Sequence, residues 1–280
     1  MKQLNAKELN VLAARIRLET LRVIHSRGFG HVGGSVDLAE MLAVLYGAAM
    51  RFDPQNPRWP DRDWLVMSKG HAGPAAYAVF GLMGYYPMEE AYTLNHPHTR
   101  FPGHTDRLLT PGVDLTTGSL GQGASTAAGA ALGNKLDGRD SRVYLVVGDG
   151  EADEGQVWEA FHFACAHKLD NLVVFMDMNG YQLDGSTAEI LDHGGLPGKI
   201  AAFGLYTQQV DGHDVAAIYH ALEAAHAHTG GPSCIVLKTC KGKGATFAET
   251  NHAHSSSPTE EQWQQALAAA EQALDAAMKA

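Results

Sequence analysis

Cysteine is scarce in this chain of 280 residues. Only three occur, and Cys165, Cys234 and Cys240 form no Cys-x-x-Cys pair. This number and spacing exclude the disulfide framework of a small secreted protein. We therefore interpret the three cysteines as small, buried apolar side chains.

Long apolar runs and an excess of positive charge are also missing. No apolar run approaches the about 20 residues that a membrane-spanning helix needs, and the polar N-terminus has no apolar signal segment. The formal charge of −10 disfavours a nucleic-acid or membrane surface as partner. A bound cation and local backbone dipoles can still hold an anionic ligand. We expect a cytoplasmic protein that binds neither nucleic acid nor a membrane.

The chain does contain a regular alternation of buried strands and helices. Continuous apolar runs predict strands at 64–68, 143–147, 172–176, 206–210 and 234–239. Helical periodicity is found at 6–27, 35–50, 122–136, 154–167 and 215–228. One further helix is predicted after His71 and reaches Met83, and another begins at about 258. This pattern predicts an α/β fold, a mostly parallel sheet with helices on both faces. We expect a single domain, 1–280, with an N-terminal helical lead-in, a C-terminal helix and a long functional loop at 95–117.

Two consecutive predicted strands end in residues that can bind a metal. Asp149, between Gly148 and Gly150, follows the first strand, and Asn179 follows the second. Parallel strands joined by a right-handed crossover end at the same edge of the sheet, where ligands bind. A carboxylate and an amide oxygen suit a hard cation such as Mg²⁺, and Gly150 lets a phosphate approach the backbone. A simple tight turn would also explain the two glycines.

Two common nucleotide-binding motifs are excluded at this position. The third glycine of a dinucleotide fingerprint would fall at Asp153, and no Gly-Lys-Ser/Thr of a P-loop follows. The segment Gly148–Gly150, with Glu154 and Asn179, instead resembles the thiamine diphosphate signature of thiamine-dependent enzymes. Other segments along nearly the whole chain are similar to those of transketolases. They are GHVGGS at 30–35, SKGHA at 68–72, GH at 103–104, TTGSLGQG at 116–123, VDGHD at 210–214 and KGKG at 241–244.

The resemblance to transketolases implies roles for individual residues. Metal ligands would be Asp149, Asn179 and the backbone carbonyl of Tyr181. The residues that would contact the cofactor are His71, Gly118, Leu120, Gly150, Asn179 and His254. Catalytic histidines would be His31, His104 and His254, the first two facing sugar hydroxyls and the third touching diphosphate and substrate. His252, two positions from His254, is an alternative for that third role, and Val32 replaces a proline of the family.

The resemblance also implies a partner chain. In transketolases the glutamate that contacts the aminopyrimidine ring, and the arginines that bind the substrate phosphate, lie in a second domain. We therefore expect a separate C-terminal subunit to carry them, in a dimer of heterodimers that acts on sugar phosphates. The expected reaction moves a two-carbon ketol unit from a ketose to an aldose, with thiamine diphosphate and Mg²⁺. Glu154 would lie at a subunit interface.

Three other functions agree with parts of the sequence. The first is a component of a thiamine enzyme similar to deoxyxylulose-phosphate synthase, which shares the early Gly-His segment. The second is a cofactor-binding subunit without catalytic activity, although such a subunit would not need Asp149, Asn179 and His31 together. The third is an unrelated metal-dependent hydrolase that uses Asp149.

Overall fold

The computed structural model of the chain describes residues 3–252 and 254–280. Its centre is a sheet of five strands, all parallel, in the spatial order β1-β2-β3-β5-β4. The strands are β1 (Trp64–Met67), β2 (Val143–Gly148), β3 (Leu172–Met178), β4 (Tyr206–Asp211) and β5 (Ser233–Lys238). The predicted α/β fold is confirmed. The ends of each predicted strand lie within two residues of the ends of an observed strand.

Twelve helices are present in the described part of the chain. They are α1 (Ala6–His25), α2 (Gly33–Val36), α3 (Ala39–Val44), α4 (Gly73–Leu82), α5 (Met88–Ala91), α6 (Gln122–Leu136), α7 (Gly155–Ala166), α8 (Thr187–Ile190), α9 (Leu196–Ala202), α10 (Val215–Ala227), α11 (Thr246–Asn251) and α12 (Glu260–Lys279). Short 3₁₀ turns at Gly70–Ala72 and Gly150–Asp153 follow β1 and β2. The loop at 95–117 has neither helix nor strand, as predicted.

Both faces of the sheet are covered because side chains alternate along each strand. In β2, Tyr144 and Val146 face a core shared with α1, α3, α4, α10 and α12. Val143, Leu145 and Val147 face the second core, with α6, α7 and α9. Helices on both faces are therefore confirmed. None of the helices in the described ranges has the length and apolar character to cross a membrane.

The predicted helix at 35–50 is wrong as a single element. It is divided into α2, α3 and a π-helical turn at Leu45–Ala49, which closes with a hydrogen bond of 2.7 Å from Met50 N to Leu45 O. The wider turn places Gly47 where a Cβ would lie 2.7 Å from Leu9 Cδ2 of α1. Close packing of this segment on α1 therefore overrides the helical period of the sequence.

The two ends of the chain are packed together. Helices α1 and α12 each begin with a capping box, formed by Asn5 with Glu8 and by Thr259 with Gln262. The two helices pack against each other, and Trp263 of α12 is fully buried. The lead-in helix and the C-terminal helix thus belong to the core on one face of the sheet.

Candidate functional site

The carboxyl ends of β2 and β3 bring Asp149 and Asn179 together. Gly148 is level with Asp177 in the sheet, and the backbone N–H of Asp149 donates to Asp177 O at 3.0 Å. The Asp149 carboxylate accepts from Gly150 N at 2.9 Å and from Gly180 N at 2.6 Å. The sequence-predicted convergence of two strand ends is therefore present in the structure.

The surroundings of Asp149 disfavour the ionised form of its carboxyl group. Burial raises its pKa to about 6, and the nearby charge of Asp177 adds to this shift. Only 2% of Asp149 is exposed. A buried carboxylate with two backbone donors and an unfavourable like charge nearby is a suitable ligand for a cation.

The carbonyl of Tyr181, the third predicted metal ligand, faces a lysine. Lys241 Nζ donates to Tyr181 O at 3.2 Å and to Gln182 O at 3.4 Å. Burial and the charge of Lys69 lower the pKa of Lys241. Lys241 lies in one of the segments similar to transketolases, but the resemblance assigned it no role. Its contacts with two backbone carbonyls join residues far apart in the chain, so the spacing of sequence motifs does not indicate them.

Two further residues in the site were missed by sequence reasoning. Lys69, just after β1, donates to the Asp177 carboxylate, and its Nζ lies 3.7 Å from Asp37 Oδ1. All three side chains are buried. The motif that contains Lys69 was recognised, but a buried ion pair beneath the strand ends could not be predicted from it. Asp177 was predicted only as part of the strand end that precedes Asn179.

Four histidines from four separate segments form a cluster beside this edge. The ring of His31 lies 5.6 Å from His71, 5.4 Å from His104 and 5.1 Å from His254, measured between centroids. His71 and His254 are 4.4 Å apart. The structure therefore brings together all three predicted catalytic histidines and His71, which was predicted, like His254, to contact the cofactor.

The histidine cluster is held in the neutral state. Burial lowers the pKa of each ring, and in three of them the charge of neighbouring groups lowers it further. For His254 the pKa falls to about 4, through burial and then the proximity of His31. Neutral imidazoles each offer one donor and one acceptor, which suits contacts with hydroxyl groups.

His252 is turned away from the cluster. Its ring stacks on Tyr181, with 3.8 Å between centroids and 16° between planes, and its backbone has a positive φ of 51°. Of the two histidines considered for the third role, His254 is the one among the clustered rings. Residue 253 between them lies outside the described residues.

Several glycines permit close backbone approach around the cluster. Gly118 has φ 146°, and a Cβ there would lie 3.2 Å from His104 Cδ2. A Cβ on Gly150 would lie 2.6 Å from the Cβ of Gln182. Packing against His104 and Gln182 therefore requires glycine at these two positions.

A cavity of about 150 Å³ opens at the sheet edge. It joins the predicted metal site to His71 and His254 of the histidine cluster. His31 contacts both of these rings, while His104 contacts His31 and Gly118 lies against His104. The lining residues are Gly34, Lys69, His71, Leu120, Gly148, Asp149, Gly150, Glu151, Asn179, Tyr181, Gln182, Leu183, Lys241 and His254. Glu154 is exposed at the start of α7 and does not line the cavity.

The place of Glu151, between Asp149 and the start of α7, would suit a solvated or capping side chain, but the structure shows a different role. It is buried, with 3% exposed, and it accepts hydrogen bonds from Gly121 N at 2.8 Å, Gly148 N at 3.2 Å and the Ser68 hydroxyl. Burial raises its pKa. Glu151 thus joins the ends of β1 and β2 to the start of α6. Its glycine and serine donors come from distant segments, so sequence spacing did not indicate it.

Comparison with known proteins identifies the family. Residues 9–270 match the family described as transketolase, thiamine diphosphate binding domain. The chain is 50% identical over 254 residues to the 6-deoxy-6-sulfo-D-fructose transketolase subunit SqwG of Clostridium sp. (strain MSTE9), covering 90% of this chain and 92% of that protein. It is 36% identical to one of the subunits of the apulose-4-phosphate transketolase of Actinobacillus succinogenes, covering 88% and 89% of the two chains.

Solved structures show the same relationship with longer proteins. Transketolase from Leishmania mexicana superposes with a TM-score of 0.86 at 28% identity, covering 99% of this chain and 46% of that one. For the Campylobacter jejuni enzyme the TM-score is 0.88 at 31% identity, covering 96% and 43%. The chain thus spans less than half of these transketolases but most of the two subunits. It belongs to the transketolase family, as a transferase subunit of N-terminal type that carries the thiamine diphosphate-binding domain.

Proposed function

We propose that this chain, as one domain, is the metal- and diphosphate-binding half of a two-chain transketolase. The proposed reaction transfers a two-carbon ketol unit from a ketose, or ketose phosphate, to an aldose or aldose phosphate. The observation that carries the proposal is the match along about nine tenths of two proteins that are themselves named transketolase subunits. The arrangement of charged and neutral side chains at the sheet edge supports it.

The metal would be Mg²⁺, bound by Asp149, Asn179 and the Tyr181 carbonyl. No group of three His, Cys, Asp or Glu side chains in the described residues has the arrangement of a metal site by itself. One carboxylate, one amide oxygen and one carbonyl suit Mg²⁺, which keeps several positions for water and phosphate oxygens. The donor chemistry therefore fits a metal that shares its coordination with a diphosphate.

The diphosphate would lie beside Gly150, which lines the cavity next to Asp149. Lys241 supplies a buried positive charge within the same cavity, and His71 and His254 supply imidazole groups. Leu120, which is about one-third exposed, offers an apolar surface at the mouth, and Gly118 offers backbone beside His104. When bound, thiamine diphosphate would supply the stabilised carbanion chemistry that moves the ketol unit.

His31 and His104 would orient the sugar. Their lowered pKa values keep both rings neutral at neutral pH, so each can donate one hydrogen bond and accept another from substrate hydroxyl groups. His254 lines the cavity, and its ring centroid is 5.1 Å from that of His31, so it would touch both diphosphate and sugar. These histidines would therefore bind and orient the substrate and hold protons at their ring nitrogens.

A second chain would complete the site. We propose that it carries the pyrimidine-binding domain, the glutamate that contacts the aminopyrimidine, and the residues that bind the acidic end of the substrate. The assembly would be a dimer of heterodimers, with Glu154 of α7 at an interface. We also propose a cytoplasmic location, with which three free cysteines agree.

Calorimetry on the purified chain tests the metal and cofactor sites. Thiamine diphosphate is expected to bind in the presence of Mg²⁺ and not in its absence, and Asp149→Ala should abolish the heat of binding. Tight Mg²⁺ binding without any response to the cofactor would contradict the proposal. The matched control is Asp63→Asn. It changes a buried carboxylate just before the amino end of β1, whereas the candidate site lies at the carboxyl ends of the strands.

A coupled assay with the candidate partner tests the reaction. Ketol transfer should require both chains, and normal transfer by this chain alone would contradict the split arrangement. The donor screen should begin with 6-deoxy-6-sulfo-D-fructose, because the 50% identical subunit is named for it. It should then include apulose 4-phosphate and pentose phosphates. Condensation of pyruvate with an aldose phosphate would instead indicate a synthase similar to the deoxyxylulose-phosphate enzyme.

A further inference from the structure

The amide of Asn179 is hydrogen-bonded at both ends. Its oxygen accepts from Tyr181 N at 3.1 Å. Its nitrogen lies 3.1 Å from Asp37 Oδ2 and 3.0 Å from Asp177 Oδ2. An amide nitrogen has two hydrogens, so the two carboxyl groups can accept both. The amide oxygen then keeps a free lone pair on the side of Tyr181 and the cavity.

Asp177 is prepared to act as an acceptor. The Lys69 ammonium donates to one of its oxygens and the Thr239 hydroxyl donates to the other. Because both oxygens of Asp177 already accept from these donors, Asp177 also faces Asn179 as an acceptor. A flipped Asn179 amide would place its oxygen against the carboxyl oxygens of Asp177 and Asp37, with no hydrogen between them.

These groups come from separate elements of the fold. Lys69 follows β1, Asp177 ends β3, Thr239 follows β5 and Asp37 lies between α2 and α3. The hydrogen-bonded group therefore spans three strands and the segment packed on their ends. It has fewer possible arrangements than a single surface pair, because each partner is fixed by its own element and all of its carboxylates are buried.

We propose that Asp177, together with Asp37, is a positioning residue that fixes the Asn179 amide with its oxygen toward the metal. The inference rests on the proposed function, in which Asn179 binds Mg²⁺. Partners that orient a metal ligand commonly change metal affinity by about 10- to 100-fold when they are replaced. The alternative role for such a group is only to stabilise the edge of the sheet. The two roles predict different results.

Asp177→Asn and Asp37→Asn separate these roles. In Asp177→Asn the new amide nitrogen can face the Asn179 nitrogen, so the Asn179 side chain is no longer restricted to one orientation. With saturating Mg²⁺, calorimetry should show about 10- to 100-fold weaker binding of thiamine diphosphate by the full chain. Urea unfolding without cofactor measures the loss of stability separately. The control Asp63→Asn should lose stability but bind within twofold of wild type.

An exchange of the two groups provides the sharper test. The double variant Asp177→Asn with Asn179→Asp places an amide at 177 and a carboxylate at 179. The amide can again donate to its neighbour, and the new carboxylate can bind the metal. We expect the double variant to bind the cofactor at least tenfold more tightly than Asp177→Asn alone. A purely stabilising role predicts no such rescue, because the two losses would add.

Each result has a defined meaning. Wild-type affinity in both single variants, with stability lowered as in Asp63→Asn, would overturn the inference while leaving the proposed function intact. An absence of rescue in the double variant would also overturn it. If Asp177→Asn does not fold, Asp37→Asn decides by the same affinity criterion. If the wild-type chain binds no thiamine diphosphate with Mg²⁺, the proposed function fails first and the inference falls with it.

Discussion

The ionised carboxylate of Asp149 should destabilise the cofactor-free chain near neutral pH. Its pKa is raised from 3.8 to about 6, first by burial and then by the charge of Asp177. The folded chain therefore holds this proton more tightly than the unfolded chain does. The resulting penalty is complete above pH 6 and is relieved as the pH falls toward 3.8.

The magnitude follows from the size of the shift. A change of about two pKa units corresponds to about 3 kcal/mol of stability. Other groups titrate in the same range, so the pH dependence of the wild type alone is not specific. The difference in free energy of unfolding between wild type and Asp149→Asn isolates this carboxylate. That difference should shift in favour of the wild type by about 2.4 kcal/mol between pH 7 and pH 4, because the unfolded chain's carboxyl group is still partly ionised at pH 4.

The measurement is urea unfolding followed by circular dichroism at several pH values, with EDTA and without cofactor. The substitution also loses a hydrogen bond, because Asn has one acceptor oxygen where Asp149 accepts from Gly150 and Gly180. This loss is largely independent of pH and sets only the offset between the two curves. A difference that stays constant from pH 7 to pH 4 would refute the reasoning. Addition of thiamine diphosphate and Mg²⁺ at pH 7 should stabilise only the wild type.

Three further predictions concern single side chains. His254 has a pKa lowered to about 4, so its contribution to stability is complete above pH 6.5 and is lost as the pH falls toward 4; His254→Asn should flatten that part of the urea series. Gly123→Ala should destabilise the chain by about 1–3 kcal/mol, because the new Cβ would lie 2.7 Å from Ser68 Cα. The control is Gly129→Ala in the same helix. Its Cβ meets nothing within 4 Å, so this variant should be more stable than the wild type by up to about 1 kcal/mol in the same assay. Lys241→Met should weaken thiamine diphosphate binding about tenfold in calorimetry, because it removes a buried charge beside an anion, and unchanged affinity would contradict that role.

The strands could be predicted from sequence because their physical cause is local. A strand buried on both faces must be apolar at every position, and the runs at β2 and β3 satisfy this condition. The position of Asp149 and Asn179 then follows from topology, since consecutive parallel strands end at one edge. For this reason the predicted pair was found together without any knowledge of side-chain contacts.

The division of the segment at 33–49 could not be predicted in the same way. Its apolar period is helical throughout, but the break between α2 and α3 lies at Asp37, whose buried carboxyl group faces Lys69 and Asn179. The demand for that contact comes from residues far along the chain. Local propensity cannot report it, so tertiary packing decided the backbone there.

The histidine cluster could be predicted only in part. Its members are spread from His31 to His254, and nothing in the spacing of the sequence indicates that the other three rings lie within 6 Å of His31. Resemblance to transketolases singled out these histidines, and the structure places their rings together. Their chemical roles stay predictions. The resemblance gave no role to Asp177, because it named residues that contact ligands and not the groups that orient them.

The charge balance of the site explains why Mg²⁺ should be required before the diphosphate binds. Four buried carboxyl groups, Asp37, Asp149, Glu151 and Asp177, face two buried ammonium groups, Lys69 and Lys241. If all are ionised, two negative charges remain. Burial and the charge of Asp177 raise the pKa of Asp37 well above its usual value, and its protonation still leaves one negative charge. The four neutral histidines add nothing. A diphosphate alone would therefore enter a buried site without net positive charge, which is unfavourable, whereas a divalent cation reverses the sign.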